Sequence, residues 1–214
     1  MPSTLVVSRT HRITLAPKIL CLGDSITHGN GSDSTGGYRG PLFATLTSGF
    51  QSTGIYSANP LTTYLGRAEF NSHGGLPGQT TTGLLTTVPQ MIAQVGPPDI
   101  VLCHIGTNDS YLPVTILPNI TTVYGYFLAA NPNVRFIIAN PLINPSTSGP
   151  ASLTDWAALT PLVASTIAPF TNAIACPMPF LPDSDMFDNL HPVLSGYQKM
   201  KAAWVATLAS LGYH

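Results

Sequence analysis

Charge is what this sequence has least of. Lys, Arg, Asp and Glu make up 8% of its 214 residues, against roughly 25% in an average globular protein. The formal net charge is −1, and neither Lys nor Arg clusters. The electrostatic footprint of nucleic-acid binding is therefore absent, and a neutral or weakly charged partner is expected. No apolar run approaches the ~20 residues that span a bilayer, so no membrane partner is expected either. Three cysteines, Cys21, Cys103 and Cys176, cannot all pair within a monomer. They fall in or beside apolar strand-like runs and read as buried free thiols. No zinc-like spacing, P-loop or dinucleotide fingerprint occurs, so no metal and no cofactor are expected.

The first fifteen residues hold Leu5, Val6 and Val7 but also Arg9, His11 and Arg12, which is not the order of a secretory signal. Polarity comes instead from Ser, Thr, Asn and Gly, with 19 Gly and 20 Pro. Low charge and the sequons Asn30-Gly31-Ser32 and Asn119-Ile120-Thr121 favour a secreted monomer whose signal peptide is not part of this sequence. A chain of this length buries one substantial core. With no repeat and no linker in view, one domain over residues 1–214 is expected.

The stretch Gly23-Asp24-Ser25-Ile26-Thr27 follows a short apolar run beginning at Lys18. That run reads as a buried strand stopping abruptly, with Ser25 just past its carboxyl end. A polar, Gly-rich loop leads to a helix from Leu42 to Phe50, with Pro41 near its start. Residues 51–62 read as an irregular connection and Tyr64 to Phe70 as a second strand. A glycine-rich break follows at Asn71 to Gly78. Thr80 to Val95 reads as a helix closed at Gly96. Asp99 to Ile105 is the most strand-like run and stops at Gly106-Thr107-Asn108-Asp109. Val114 to Ala130 is a helix despite Pro118 and Gly125, Asn133 to Ala139 a strand, Ser152 to Ala168 a helix and Thr171 to Cys176 a weaker strand. A final amphipathic helix runs from Leu194 to Leu211. Strands alternating with helices imply an α/β fold, a three-layer α/β/α sandwich on a five-stranded parallel, flavodoxin-like sheet. In that architecture the loops after Ser25, Gly75 and Asn108 open on one edge, within reach of the loop before the last helix.

Cleavage by serine needs a base, a group that orients the base, and donors for the developing oxyanion. His191 is the candidate base. Asp188, three residues earlier, is placed to accept from its Nδ1–H and leave Nε2 facing Ser25. The candidate oxyanion donors are the backbone N–H groups of Ser25 and Gly75 and the side-chain amide of Asn108. Asp24 adjoins the nucleophile and is excluded as the triad acid. As a buried carboxylate it needs donors, which nearby amides or Arg39 supply. Tyr38 and Arg39 are candidates for lining the substrate side of the cleft, beside structural readings of equal weight. His28, His73 and His104 read as neutral structural residues, with His73 the candidate neighbour of the site. Asp183, Asp185 and Asp188 superficially resemble a calcium loop but lack its spacing and closing Glu. Thr27 stands where a nucleophile elbow has its second glycine, which removes the main support for an α/β-hydrolase.

The four blocks Gly23–Thr27, Gly75–Gly78, Gly106–Asp109 and Asp188–Pro192 resemble those of the SGNH, or GDSL, hydrolase superfamily, in the same order. Where many members have Asn before the oxyanion glycine this chain has His73, so Gly74 stands as the alternative to Gly75. Gly37-Tyr38-Arg39, His104–Asp109, and Gly196, Tyr197 and Trp204 after His191-Pro192 are similar to carbohydrate esterase family 3, the acetylxylan esterases. The resemblance implies the α/β/α sandwich, the triad Ser25, His191 and Asp188, and removal of O-acetyl groups from plant polysaccharide or a small ester through an acyl-serine. Two alternatives are carried forward. One is a lipase, lysophospholipase or thioesterase of the same superfamily, with Leu76, Leu112 and Pro113 lining an acyl channel. The other is a non-catalytic carbohydrate-binding protein.

Overall fold

The computed structural model describes residues 16–32, 36–46, 49–57, 70–142 and 150–214. The apolar run after Pro17 forms β1 (Lys18–Gly23), and its side chains alternate between two cores. Ile19 and Cys21 join one cluster, while Leu20 and Leu22 join the other. A strand buried on both faces has no polar side to show, which is why its apolar residues run on unbroken. The same holds for β4 (Ile100–His104), buried at every position, and for β5 (Arg135–Ala139), buried beyond its first residue. The outer strand β6 (Ala173–Cys176) is more open and buries only Cys176 fully.

All strand pairs are parallel, and their path is β2–β1–β4–β5–β6, the order of a flavodoxin-like sheet. β2 (Gln51–Thr53) pairs with the first half of β1. β3 (Gly74–Gly75) pairs with Leu22 and Gly23 at its end. The two short strands thus share one edge position, and six strands fill five places. This corrects the reading of 51–62 as irregular at Gln51–Thr53; residues 58–62 lie outside the described residues. The expected strand at Tyr64 to Phe70 lies outside the described residues except for Phe70, which is no part of a strand and instead stacks on Phe43.

Helices cover both faces. On one lie α2 (Arg39–Thr45) and α6 (Leu194–Ser210), which contribute Leu42, Phe43, Met200, Trp204 and Leu208 to the core. On the other lie α3 (Thr81–Val95), α4 (Pro113–Ala130) and α5 (Pro150–Ile167). α2 begins three residues earlier than expected and stops at Thr45, because Leu46 turns extended. α3 opens with the Thr80 hydroxyl accepting from the Gly83 N–H and closes at Gly96, as a helix with those residues should. α4 and α5 carry Pro118 and Pro161 inside. An interior proline costs a helix ~3 kcal/mol, and in α4 the burial of Ile116, Ile120, Val123, Tyr124 and Phe127 opposes that loss. Among the described residues no helix is long and apolar enough to cross a membrane.

Cys21, Cys103 and Cys176 are all free and buried. Burial pushes the thiols of Cys21 and Cys176 up to about 12 and about 11, so they are inert packing residues.

Candidate active site

β1 ends at Gly23, where no larger residue fits: a Cβ there would lie 2.1 Å from the His104 carbonyl oxygen. The chain then turns at Asp24 into the single helical turn α1 (Ser25–His28). Asp24 is its N-cap, with Oδ1 accepting from the Ile26 N–H at 2.9 Å. At the other end the fully buried Arg39 donates to the carbonyls of Thr27 and His28, and a third bond reaches that of Asn71. A carboxyl at the first turn and a guanidinium at the last match the helix's unpaired N–H and C=O groups. Ser25 is thereby fixed as the first residue of the turn. Its own N–H, as a first-turn donor, has no partner within the described chain.

The loop before α6 supplies the other half. Its ends are pinned by an antiparallel bridge between Met186 and Pro192. Inside it, the Phe187 N–H donates to the His191 carbonyl at 2.7 Å. The two Asp188 oxygens divide the work. Oδ1 accepts the N–H groups of Leu190 and His191 at 2.7 and 2.6 Å, and Oδ2 lies 2.8 Å from His191 Nδ1. On the far side of the ring, His191 Nε2 lies 2.8 Å from Ser25 Oγ. Asp188 feels burial upward, but the bonds from the His191 ring and from the two backbone N–H groups outweigh it. Its carboxyl is therefore held below the usual range and stays ionised. An ionised acceptor on Nδ1 selects the tautomer with Nδ1–H, leaving Nε2 free to take the serine proton.

A third element approaches from the end of β4. The 3₁₀ turn Thr107–Asp109 carries Asn108, whose Nδ2 donates to the Gln79 carbonyl at 2.8 Å. That bond uses one amide hydrogen and leaves the second. Asp109, not singled out in the sequence, is the anchor here. Its carboxylate accepts both the N–H and the hydroxyl of Thr81 and ties the turn to α3.

The sequence placed an oxyanion donor at Gly75, and the structure does not support it. The Gly75 N–H donates to His73 Nδ1 at 3.0 Å. A Cβ on Gly75 would lie 2.6 Å from the His28 nitrogen, so this glycine is a close backbone contact against α1. Gly74, the alternative, pairs with Leu22 in β3. Gly78 was missed. With Pro77 before it, φ 78° and the Gln79 N–H bonded to the Leu76 carbonyl, it occupies the third position of a type II turn. Its exposed N–H has no partner among the described residues and stands one residue from the carbonyl that holds Asn108. The Leu76-Pro77-Gly78 spelling was the available signal.

Three further expectations change. Tyr38 and Arg39 do not line the cleft, since both are completely buried. The Tyr38 hydroxyl meets that of Thr27, and its ring lies against Trp204. His73 is likewise completely buried and acts on Gly75. Arg39 is no partner of Asp24, because its bonds go to carbonyls. Asp185 accepts from Ser195 and Lys199. His104 is buried and accepts from the Leu142 N–H, and burial drives it down to about 4, so it is neutral as expected.

Asp24 remains unusual. Its Oδ2 is sealed from water without a hydrogen-bond partner. Burial pushes the carboxyl up to about 7, and the Ile26 N–H and its own backbone N–H offset this only in part. An acid raised in the folded state contributes stability that is complete below its ordinary value of about 3.8 and lost as pH rises through about 7. At 1.36 kcal/mol per unit the loss across that window is on the order of 4 kcal/mol. Asp24→Asn keeps the cap acceptor and removes the titration. Its urea-unfolding free energy, relative to wild type, should therefore rise between pH 4.5 and pH 7; an unchanged difference would show that Asp24 ionises normally.

The family described as GDSL-like lipase/acylhydrolase matches residues 21–199. No curated protein sequence matches the chain. Among solved structures, a carbohydrate esterase family 3 protein from Talaromyces cellulolyticus is 18% identical, with a TM-score of 0.72 over 91% of this chain and 97% of that one. A family 3 carbohydrate esterase from Clostridium thermocellum is 24% identical, with a TM-score of 0.73 over 91% and 98%. TesA is 18% identical, with a TM-score of 0.66 over 91% and 99%. At these identities the likeness is one of fold.

Proposed function

This chain belongs to the GDSL-like lipase/acylhydrolase family, and from that premise we propose that it is a serine esterase removing O-acetyl groups from carbohydrate. The observation that carries the mechanism is the continuous chain of contacts from Asp188 Oδ2 through the His191 ring to Ser25 Oγ, with both links at 2.8 Å. His191 Nε2 takes the hydroxyl proton as Ser25 Oγ attacks the ester carbonyl carbon. The Ser25 N–H, the second hydrogen of Asn108 Nδ2 and the Gly78 N–H, in place of Gly75, receive the oxyanion. The alcohol leaves with the proton held by His191. Water, deprotonated by the same imidazole, then releases acetate and restores Ser25. No step calls for a metal or cofactor.

Acetate is favoured over a long acyl chain by the residues a channel would need. Leu76 is half-exposed, Leu112 is 40% exposed and Pro113 is half-exposed, so all three stand at the surface. A cavity of about 210 Å³ bounded by Asn140, Val163 and Cys176 lies at the ends of β5 and β6 and includes none of the triad. Two neighbours in fold are described as family 3 carbohydrate esterases, which supports a sugar as the alcohol. The competing reading is a lipase or thioesterase, for which the exposed Val114 is the favouring observation. Secretion is part of the proposal and rests on the low charge. The Asn119 sequon lends it little, because that amide already donates to the Thr81 and Thr82 hydroxyls.

Hydrolysis of p-nitrophenyl esters from acetate to octanoate tests the reading. A kcat/KM that falls steeply beyond acetate is expected. A rise toward octanoate would keep the serine chemistry and transfer the substrate to lipids or thioesters.

A further inference from the structure

The backbone of Phe187 is clamped while its ring is left in solvent. The residue immediately precedes Asp188. Its N–H is bonded to the His191 carbonyl, and a Cβ added to Gly31 would come within 3.0 Å of its own Cβ. Gly31, at φ 79°, brings the nucleophile loop this close to the base loop. Yet Phe187 is 68% exposed. Scattered exposed apolar residues are ordinary; this one adjoins the triad acid, on a loop whose geometry is fixed at both ends. A fixed backbone beneath an exposed ring lowers the ordering cost of using that ring for binding.

The surroundings of the ring select its ligand. In the Asp183–Asn189 segment the Asp185 carboxylate is buried and paired with Lys199 and Ser195, and that of Asp188 is engaged by His191 and Leu190, which leaves Asp183 as the carboxylate facing solvent without those ties. Asp183, Ser184 and Asn189 are exposed on the same segment. Carboxylates repel an anionic lipid surface and accept hydrogen bonds from hydroxyl groups. An aromatic face carries negative charge density and attracts polarised C–H groups, which line one face of a pyranose. We propose that Phe187 is the platform on which the sugar ring bearing the ester stacks, while exposed polar groups of the same loop meet its hydroxyls. This rests on the carbohydrate reading above and adds a specificity-determining residue to it. Phe187 acts by holding the alcohol side of the substrate and takes no part in the bond changes.

The test compares wild type, F187A, F187L and F187W on an acetylated xylo-oligosaccharide and on ethyl acetate, an ester with no ring to stack. On the oligosaccharide F187A should lose about fivefold to tenfold in kcat/KM, carried by KM. F187L, apolar but without a flat face, should lose as much, and F187W should match the wild type. On ethyl acetate all four should agree within about twofold, and the melting temperatures should coincide. An equal loss on ethyl acetate would make Phe187 a support for the base loop and overturn the platform. A kcat/KM of F187A on the oligosaccharide within about twofold of the wild type would overturn it too, leaving the carbohydrate reading intact. A wild type that hydrolyses ethyl acetate but no acetylated oligosaccharide would overturn the carbohydrate reading and the platform with it.

Discussion

Ser25→Ala should yield a folded protein with turnover reduced by a factor on the order of 10⁶, the usual cost of removing the nucleophile from an assembled triad. The fold should survive because, among the described residues, the hydroxyl has one hydrogen-bond partner, His191 Nε2. The position itself is held by other groups, the Asp24 cap and the Arg39 bonds to the carbonyls of Thr27 and His28. Circular dichroism and the melting temperature should therefore match the wild type while p-nitrophenyl acetate hydrolysis falls to background. Retention of more than a few per cent of wild-type kcat would remove Ser25 from the mechanism and put the binding-protein reading in first place.

Asp188→Asn should cost about 10⁴ in kcat, and the reason lies in the separate duties of the two oxygens. An asparagine can keep its carbonyl oxygen on the Leu190 and His191 N–H groups, so the loop retains its shape. Its NH₂ group then occupies the place of Oδ2 and presents hydrogens to His191 Nδ1. The ring answers with the other tautomer, its proton on Nε2 and directed at Ser25 Oγ. A base in that state has no lone pair for the serine proton. Substrate affinity should change little, so the loss should appear in kcat with KM nearly constant. A loss smaller than tenfold, measured with a thermal midpoint unchanged from the wild type, would assign Asp188 to shaping the loop alone.

The parts of this molecule that were legible in its sequence are those that repeat a physical pattern over many residues. β1, β4 and β5 are sandwiched between helices and so read as unbroken apolar runs. α3 is marked by Thr80 and Gly96, which stand at its ends for reasons of hydrogen bonding and of backbone freedom. Ser25, Asp188 and His191 could be grouped because Asp188 and His191 share one turn and Ser25 ends a strand. What escaped were elements too short to carry a period. β2 is three residues, Gln51–Thr53, all of them polar and on the sheet's margin, and β3 is two glycines. Gly75 and Gly78 illustrate a second limit. Both are turn-like glycines in one stretch, and only the direction of each N–H separates them. His73 Nδ1 consumes one, while the type II turn leaves the other free. Tyr38 and Arg39 failed for a third reason. A buried guanidinium that donates to backbone carbonyls cannot be told by residue type from one that binds substrate.

The loop that carries Asp188 and His191 also bears on how such a protein changes over generations. Acid, base, the bond between them and both backbone bonds that shape the turn lie within four consecutive residues. Only one hydrogen bond in the triad, across 166 positions to Ser25, crosses the molecule. Acid and base are therefore inherited as one four-residue cassette, and recombination between distant parts of the gene cannot separate them. What drift can loosen is the fit between that cassette and the nucleophile turn, and Gly31, lodged against Phe187 and His191, is the seam where an insertion or a side chain would do it.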